Sequence, residues 1–132
     1  MAANNIVPML MFEGKAEEAM QFYTSVFANS AITSVERYGA GEGGTEGSVK
    51  VAEFQLLGRT FRCIDSPVKH GFTFTPAISF VVDCQSSDAV DQLFGRLSEA
   101  GQVFMPVGEY PFSKRFAWVA DRYGVSWQLK FE

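Results

Sequence analysis

Phe116-Ala-Trp-Val-Ala-Asp-Arg-Tyr-Gly-Val-Ser-Trp-Gln-Leu-Lys-Phe131 is the stretch from which the fold can be worked out. It reads as a strand, a turn over Asp121-Arg-Tyr-Gly124, and a final strand in which Val125, Trp127, Leu129 and Phe131 alternate with Ser126, Gln128 and Lys130. An aromatic-rich hairpin of this kind has one face to bury, and the preceding chain must supply the surface that covers it.

Working back from the hairpin, Ala77 to Cys84 has strand character, and Ser87 to Ala100 carries Val90, Leu93, Phe94 and Leu97 at helical spacing. Ser86 or Ser87 is suited to cap that helix, and Gly101 to end it. Val103 to Met105 opens a strand, and Pro106 to Lys114 reads as a loop. Ser66 to Pro76, with two prolines and the single histidine, His70, reads as a linker. Before it the same succession occurs once already. Asn5 to Phe12 reads as a strand, and Lys15 to Ala28 as a helix with Ala16, Ala19, Met20, Tyr23, Val26 and Phe27 on one face. Strands follow over Ala31 to Tyr38, Ser48 to Leu57 and Arg59 to Asp65. A shift of seventy positions lays Phe12-Glu13 on Val82-Asp83 and Tyr23 on Leu93. The expected fold is therefore α+β, with two βαβββ modules in tandem in one domain spanning 1–132. Module one covers about 5–65, the linker 66–76 and module two 77–131.

The 132 residues are 47% hydrophobic, enough for a sizeable core, and contain no unbroken apolar run of about 18 residues. The start, Met1-Ala-Ala-Asn-Asn-Ile6, lacks the basic and apolar regions of a secretory signal, so the expected address is cytoplasmic, with no membrane partner. A net charge of −4 and scattered Lys and Arg argue against a nucleic-acid partner. Cys63 and Cys84 lie within apolar segments, far from any metal-binding spacing, and read as buried thiols.

Glu17-Glu-Ala-Met-Gln-Phe-Tyr-Thr-Ser-Val-Phe27 resembles the first-helix signature of the vicinal-oxygen-chelate superfamily, which includes glyoxalase I, extradiol dioxygenases and bleomycin-resistance proteins. The segment from Glu109 to Leu129 resembles its PhnB-like branch, often labelled demethylubiquinone 3-methyltransferase. The resemblance implies paired βαβββ modules, a cleft formed by curled sheets, and a homodimer. It also implies that a metal, where present, is held on the first and last strands of the modules. Those positions fall on Val7, Cys63, Ala77 and Gln128, and a one-residue change of register offers Pro8, Arg62 or Ile64, and Ile78. Only Gln128 keeps an oxygen donor, so neither a metal site nor any other cofactor is expected.

Gly39-Ala-Gly-Glu-Gly-Gly44 satisfies G-x-G-x-x-G but leads into a strand, where a nucleotide cradle needs a helix, so the methyltransferase label finds no support in the sequence. No catalytic residue is assigned, because no nucleophile elbow exists and the sole histidine lies in the linker. With Val7, Cys63, Ala77 and Gln128 taken as inward, strand alternation gives an expected ligand-binding set: Met9, Met11, Phe61, Cys63, Asp65, Ser79, Val81, Trp118 and Gln128. Tyr110, Phe112 and Phe116 join Trp118 as candidates to close the mouth of the cleft. The favoured reading is a metal-free protein that encloses a small hydrophobic or aromatic molecule. A superfamily enzyme with its metal ligands elsewhere, and a dimeric structural or regulatory module with a vestigial cleft, remain alternatives.

Overall fold

The computed structural model describes residues 2–132, which divide into two compact units, one running through His70 and the other Gly71–Glu132. In the first, β1 (Met9–Phe12), α1 (Ala16–Val26), β2 (Ala31–Arg37), β3 (Val49–Leu56) and β4 (Arg59–Asp65) build a sheet of order β1-β4-β3-β2. β1 runs parallel to β4 and the other pairs are antiparallel. In the second, β5 (Phe80–Asp83), α2 (Ser87–Leu97), β6 (Gln102–Tyr110), β7 (Ser113–Ala120) and β8 (Ser126–Phe131) repeat the plan as β5-β8-β7-β6. Two mixed four-stranded sheets, each with one helix, are the α+β arrangement of two βαβββ modules expected from the sequence.

Each helix covers one face of its own sheet. Ala16, Ala19, Met20 and Tyr23 of α1 are fully buried, and the Tyr23 ring stacks 6.5 Å from Phe54 of β3, which in turn stacks 5.5 Å from Phe61 of β4. In the second unit Val90 and Leu97 of α2 are buried with Ala117, Val119, Trp127 and Leu129. Arg115 of β7 donates to Asp91 of α2 at 2.8 Å, which fixes the odd-numbered side chains of β7 on the helix side.

The two helix starts are built differently. Ser86 caps α2 locally, its hydroxyl accepting from the Ala89 N–H at 3.1 Å. Lys15, at the start of α1, supplies no side-chain cap. That role falls to Asp65 at the far end of β4. Its Oδ1 accepts from the Gly14 and Ala16 N–H groups at 2.8 and 3.0 Å, and its Oδ2 from the Val49 N–H at 3.0 Å.

Several boundaries differ from expectation. β1 starts only at Met9 and β5 only at Phe80, where their registers with β4 and β8 begin, and the Pro8 carbonyl accepts one further bond from the Arg62 N–H at 2.9 Å. α2 ends at Leu97, Ala100 takes the left-handed conformation, and Gly101 passes so close to β7 that an added Cβ would lie 2.1 Å from the Ala120 carbonyl oxygen. The largest correction concerns 106–114. It is not a loop: β6 continues to Tyr110, residues 111–112 turn, and β7 begins at Ser113. β6 is a terminal strand whose register shifts between Met105 and Gly108, so Pro106 sits where its missing N–H is tolerated.

The hairpin of β7 and β8 turns on Asp121. Its Oδ1 accepts from the Tyr123 and Val125 N–H groups at 2.8 and 3.1 Å, and its Oδ2 accepts from the Trp127 indole at 2.8 Å. Gly124 takes φ 91°, a conformation that side chains bearing a Cβ rarely adopt.

Candidate functional site

Each sheet has a second face, turned away from its helix. On the first unit's sheet the register decides which residues share it. Leu10 pairs with Cys63 and Phe12 with Asp65, all buried on the helix side, whereas Met9 pairs with Arg62 and Met11 with Ile64. The expected lining is therefore divided. Met9 and Met11 lie on the open face with Arg62 and Ile64, while Phe61, Cys63 and Asp65 point under α1. Val7 and Cys63, expected to face the same way, do not, because a parallel pairing offset by one residue reverses every side chain on one of the two strands.

The chemistry of those three residues agrees with their placement. Phe61 packs on Phe54, and both oxygens of Asp65 are occupied by backbone N–H groups, which leaves no role in orienting a ligand. Cys63 is fully enclosed, and burial first, then the neighbouring Asp65 charge, pushes its thiol up to about 12. Burial also raises the thiol of Cys84. Both thiols are thus held protonated more firmly than an ordinary cysteine.

On the second unit the expected residues fall together. Register lays out three rows across the open face. The first is Ser126 beside Ala120, with Ser79 reaching Ser126 through a 2.6 Å hydroxyl contact. In the second, Val81, Gln128, Trp118 and Met105 are successive partners. The third runs Asp83, Lys130, Phe116 and Gly108. Trp118 is half-buried, its indole N–H donates to Ser126 Oγ at 2.9 Å, and its ring lies 4.9 Å from Phe104. Val81 is 55% exposed, and the Gln128 amide has no hydrogen-bond partner among the described residues. Farther along, Phe112 meets Phe116 edge-on at 4.9 Å, and Tyr110 meets it at 5.7 Å. The face is thus an aromatic wall on β6 and β7, flanked on β8 by the Gln128 amide and the Ser126 hydroxyl, which Ser79 meets. A shallow depression of about 600 Å³ lies at the β6–β7 turn, between Tyr110, Phe112 and Lys114. It is open to solvent and away from the Gln128 amide, so the wall is the better candidate.

Sequence reasoning missed Ser126 and Lys130. Both stand in the alternation Ser126, Gln128, Lys130, which marks one strand face once Gln128 is accepted.

Of the four positions the resemblance implies for a metal, only Gln128 offers an oxygen donor. Cys63 points away from the open face, where Arg62 stands and pairs with Glu53 at 3.2 Å. Among the described residues no group of three His, Cys, Asp or Glu side chains has the geometry to hold a metal ion. The glycine segment closes on itself. Glu42 accepts from the Gly39 N–H and pairs with Lys50 at 3.0 Å, and these contacts, Lys50 foremost, hold its carboxyl below the ordinary range. No helix follows the segment, so it offers no helix start to a nucleotide or to S-adenosylmethionine.

The sequence profile of the 3-demethylubiquinone-9 3-methyltransferase family matches residues 4–130. The chain belongs to that family. Among solved structures, the PhnB protein from Bacillus cereus, which carries the same methyltransferase description, is 53% identical to this PhnB-like chain. The two superpose with a TM-score of 0.94, over 98% of this chain and 100% of that one. Protein PA1353 from Pseudomonas aeruginosa matches at 22% identity and a TM-score of 0.85, covering 98% of both chains. The fosfomycin resistance protein FosX from Listeria monocytogenes, solved with Mn(II) and sulfate, matches at 12% identity and a TM-score of 0.65. It covers 99% of this chain and 91% of its own, and at that identity shows only that the glyoxalase and bleomycin-resistance fold is shared. No functionally curated protein matches the PhnB-like chain.

Proposed function

We propose that this PhnB-like protein binds a small apolar or aromatic molecule on the open face of its second sheet, without a resident metal. One observation carries the reading: Trp118, its N–H already held by Ser126, offers its ring beside the exposed Val81 and the unpartnered Gln128 amide. An apolar wall with one or two polar groups is what small-molecule sites usually present. Ser79 contributes by holding Ser126.

A melting screen against a metabolite library tests the reading, followed by titration of Trp emission. Trp127 is buried against Asp121, so an emission change reports Trp118. Gln128→Ala should weaken a hydrogen-bonded ligand by about 0.5–1.5 kcal/mol. If no compound shifts the melting temperature or the emission, the binding reading fails. About one divalent metal per chain, found by elemental analysis after gentle purification, would overturn the metal-free half.

The proposal extends to a cytoplasmic homodimer. In its support, no helix among the described residues is long and apolar enough to cross a membrane, and β1, β2, β5 and β6 are terminal strands with edges to cover. A monomer mass by light scattering at micromolar concentration would refute the dimer.

A further inference from the structure

We infer that the ligand of this site is an aromatic anion, and that Lys130 is its ionic anchor. The inference rests on the binding face proposed above and adds the charge of its occupant. Lys130 lies in register with Phe116 on one side and Asp83 on the other, on the same face as Gln128 and Trp118. It is half-buried, and among the described residues its ammonium has neither a hydrogen bond nor an ion pair. The neighbouring cations are engaged: Lys114 pairs with Glu132, and Arg115 is turned to the helix side with Asp91. Apart from Asp83, the other polar groups beside Trp118 do not select for charge. The Trp118 N–H is taken by Ser126, and Gln128 is neutral.

Lys130 follows Gln128 by two residues on β8, which places it about 7 Å along the strand. A ring stacked on Trp118 can therefore direct an acidic substituent towards the ammonium while Gln128 meets a neutral polar group between them. Asp83 is exposed and makes no ion pair with Lys130, so it lowers the attraction for an anion without occupying the cation.

Two probes that differ only by a sulfonate test this: 1-anilinonaphthalene-8-sulfonate and N-phenyl-1-naphthylamine, titrated by fluorescence against the full chain. The wild type should bind the sulfonate more tightly, and that preference should shrink as salt is added. Lys130→Gln should weaken the sulfonate about three- to tenfold and leave the naphthylamine unchanged. Asp83→Asn should strengthen the sulfonate alone, and Lys114→Gln should change neither. Trp118→Leu should weaken both probes. If Trp118→Leu weakens both but Lys130→Gln preserves the preference for the sulfonate, the anionic assignment is wrong while the binding face stands. If Trp118→Leu leaves both affinities unchanged, the face itself is wrong and the assignment of Lys130 fails with it.

Discussion

Replacing Asp65 by alanine should be among the most damaging single changes in the first unit, although the residue touches no proposed ligand. Its carboxylate is 4% exposed and accepts three backbone N–H groups, those of Gly14, Ala16 and Val49, at 2.8–3.0 Å. These donors come from the entry to α1 and from the first residue of β3, so one side chain ties helix, β3 and β4 together. Leaving a buried donor unpaired costs about 1–3 kcal/mol, and the Gly14 site is only partly buried, so Asp65→Ala should lose about 3–6 kcal/mol. That is a large share of the ~5–15 kcal/mol by which domains are usually stable. Asp65→Asn retains one oxygen for Gly14 and Ala16 but turns an amide N–H₂ towards the Val49 N–H, so about half the loss is expected. Urea denaturation followed by far-ultraviolet circular dichroism measures both, with the slope against denaturant checked for constancy. If Asp65→Ala unfolds within about 0.5 kcal/mol of the parent, the capping role is refuted. The folded Asp65→Asn protein should bind N-phenyl-1-naphthylamine as the wild type does. A selective loss of that binding would restore Asp65 to the ligand site.

Gly124→Val should cost about 1–3 kcal/mol through the left-handed backbone alone, since the nearest side-chain atom to a new Cβ, in Phe74, is at an ordinary 3.9 Å. A melting temperature equal to the parent's would mean that the turn tolerates a branched side chain at φ 91°. Cys63 should resist thiol reagents at pH 8 in the native protein and react once it is unfolded, and prompt stoichiometric modification of native Cys63 would contradict its burial. The same group makes stability depend on pH. The folded thiol holds its proton to about pH 12, whereas an ordinary thiol loses it near 9.0, so the unfolded chain binds fewer protons in between. Stability should therefore be complete below pH 9 and fall, by up to about 1.4 kcal/mol per pH unit, as pH rises towards 12. Cys63→Ala should flatten that decline, with the raised Cys84 thiol accounting for part of what remains.

What the sequence determined by itself is what depends on neighbours along the chain. The α1 stripe of Ala16, Ala19, Met20 and Tyr23, the Ser86 cap, the turn from Asp121 to Gly124 and the alternation along β8 are all set within a few residues, and all were legible. So was the pairing of Trp118 with Gln128, where the tight turn and the alternation on either side set the β7–β8 register, whereas Val81, on the distant parallel strand β5, is brought beside Gln128 only by the sheet. Tertiary structure alone decided the rest. β1 and β4 are parallel and some fifty residues apart, so no turn fixes their register, and only the fit of Leu10, Phe12, Cys63 and Asp65 beneath α1 shows that Met9 and Met11 face the other way. The cap of α1 comes from a carboxylate 49 residues beyond Ala16, which no pattern near Lys15 announces. β6 runs through Pro106 and Gly108 because it is a terminal strand, and strand order cannot be read from local composition. Lys130 likewise appeared as one more polar residue on an alternating strand. Its place between Asp83 and Phe116, with no ion pair, exists only once three strands from separate parts of the chain are laid side by side.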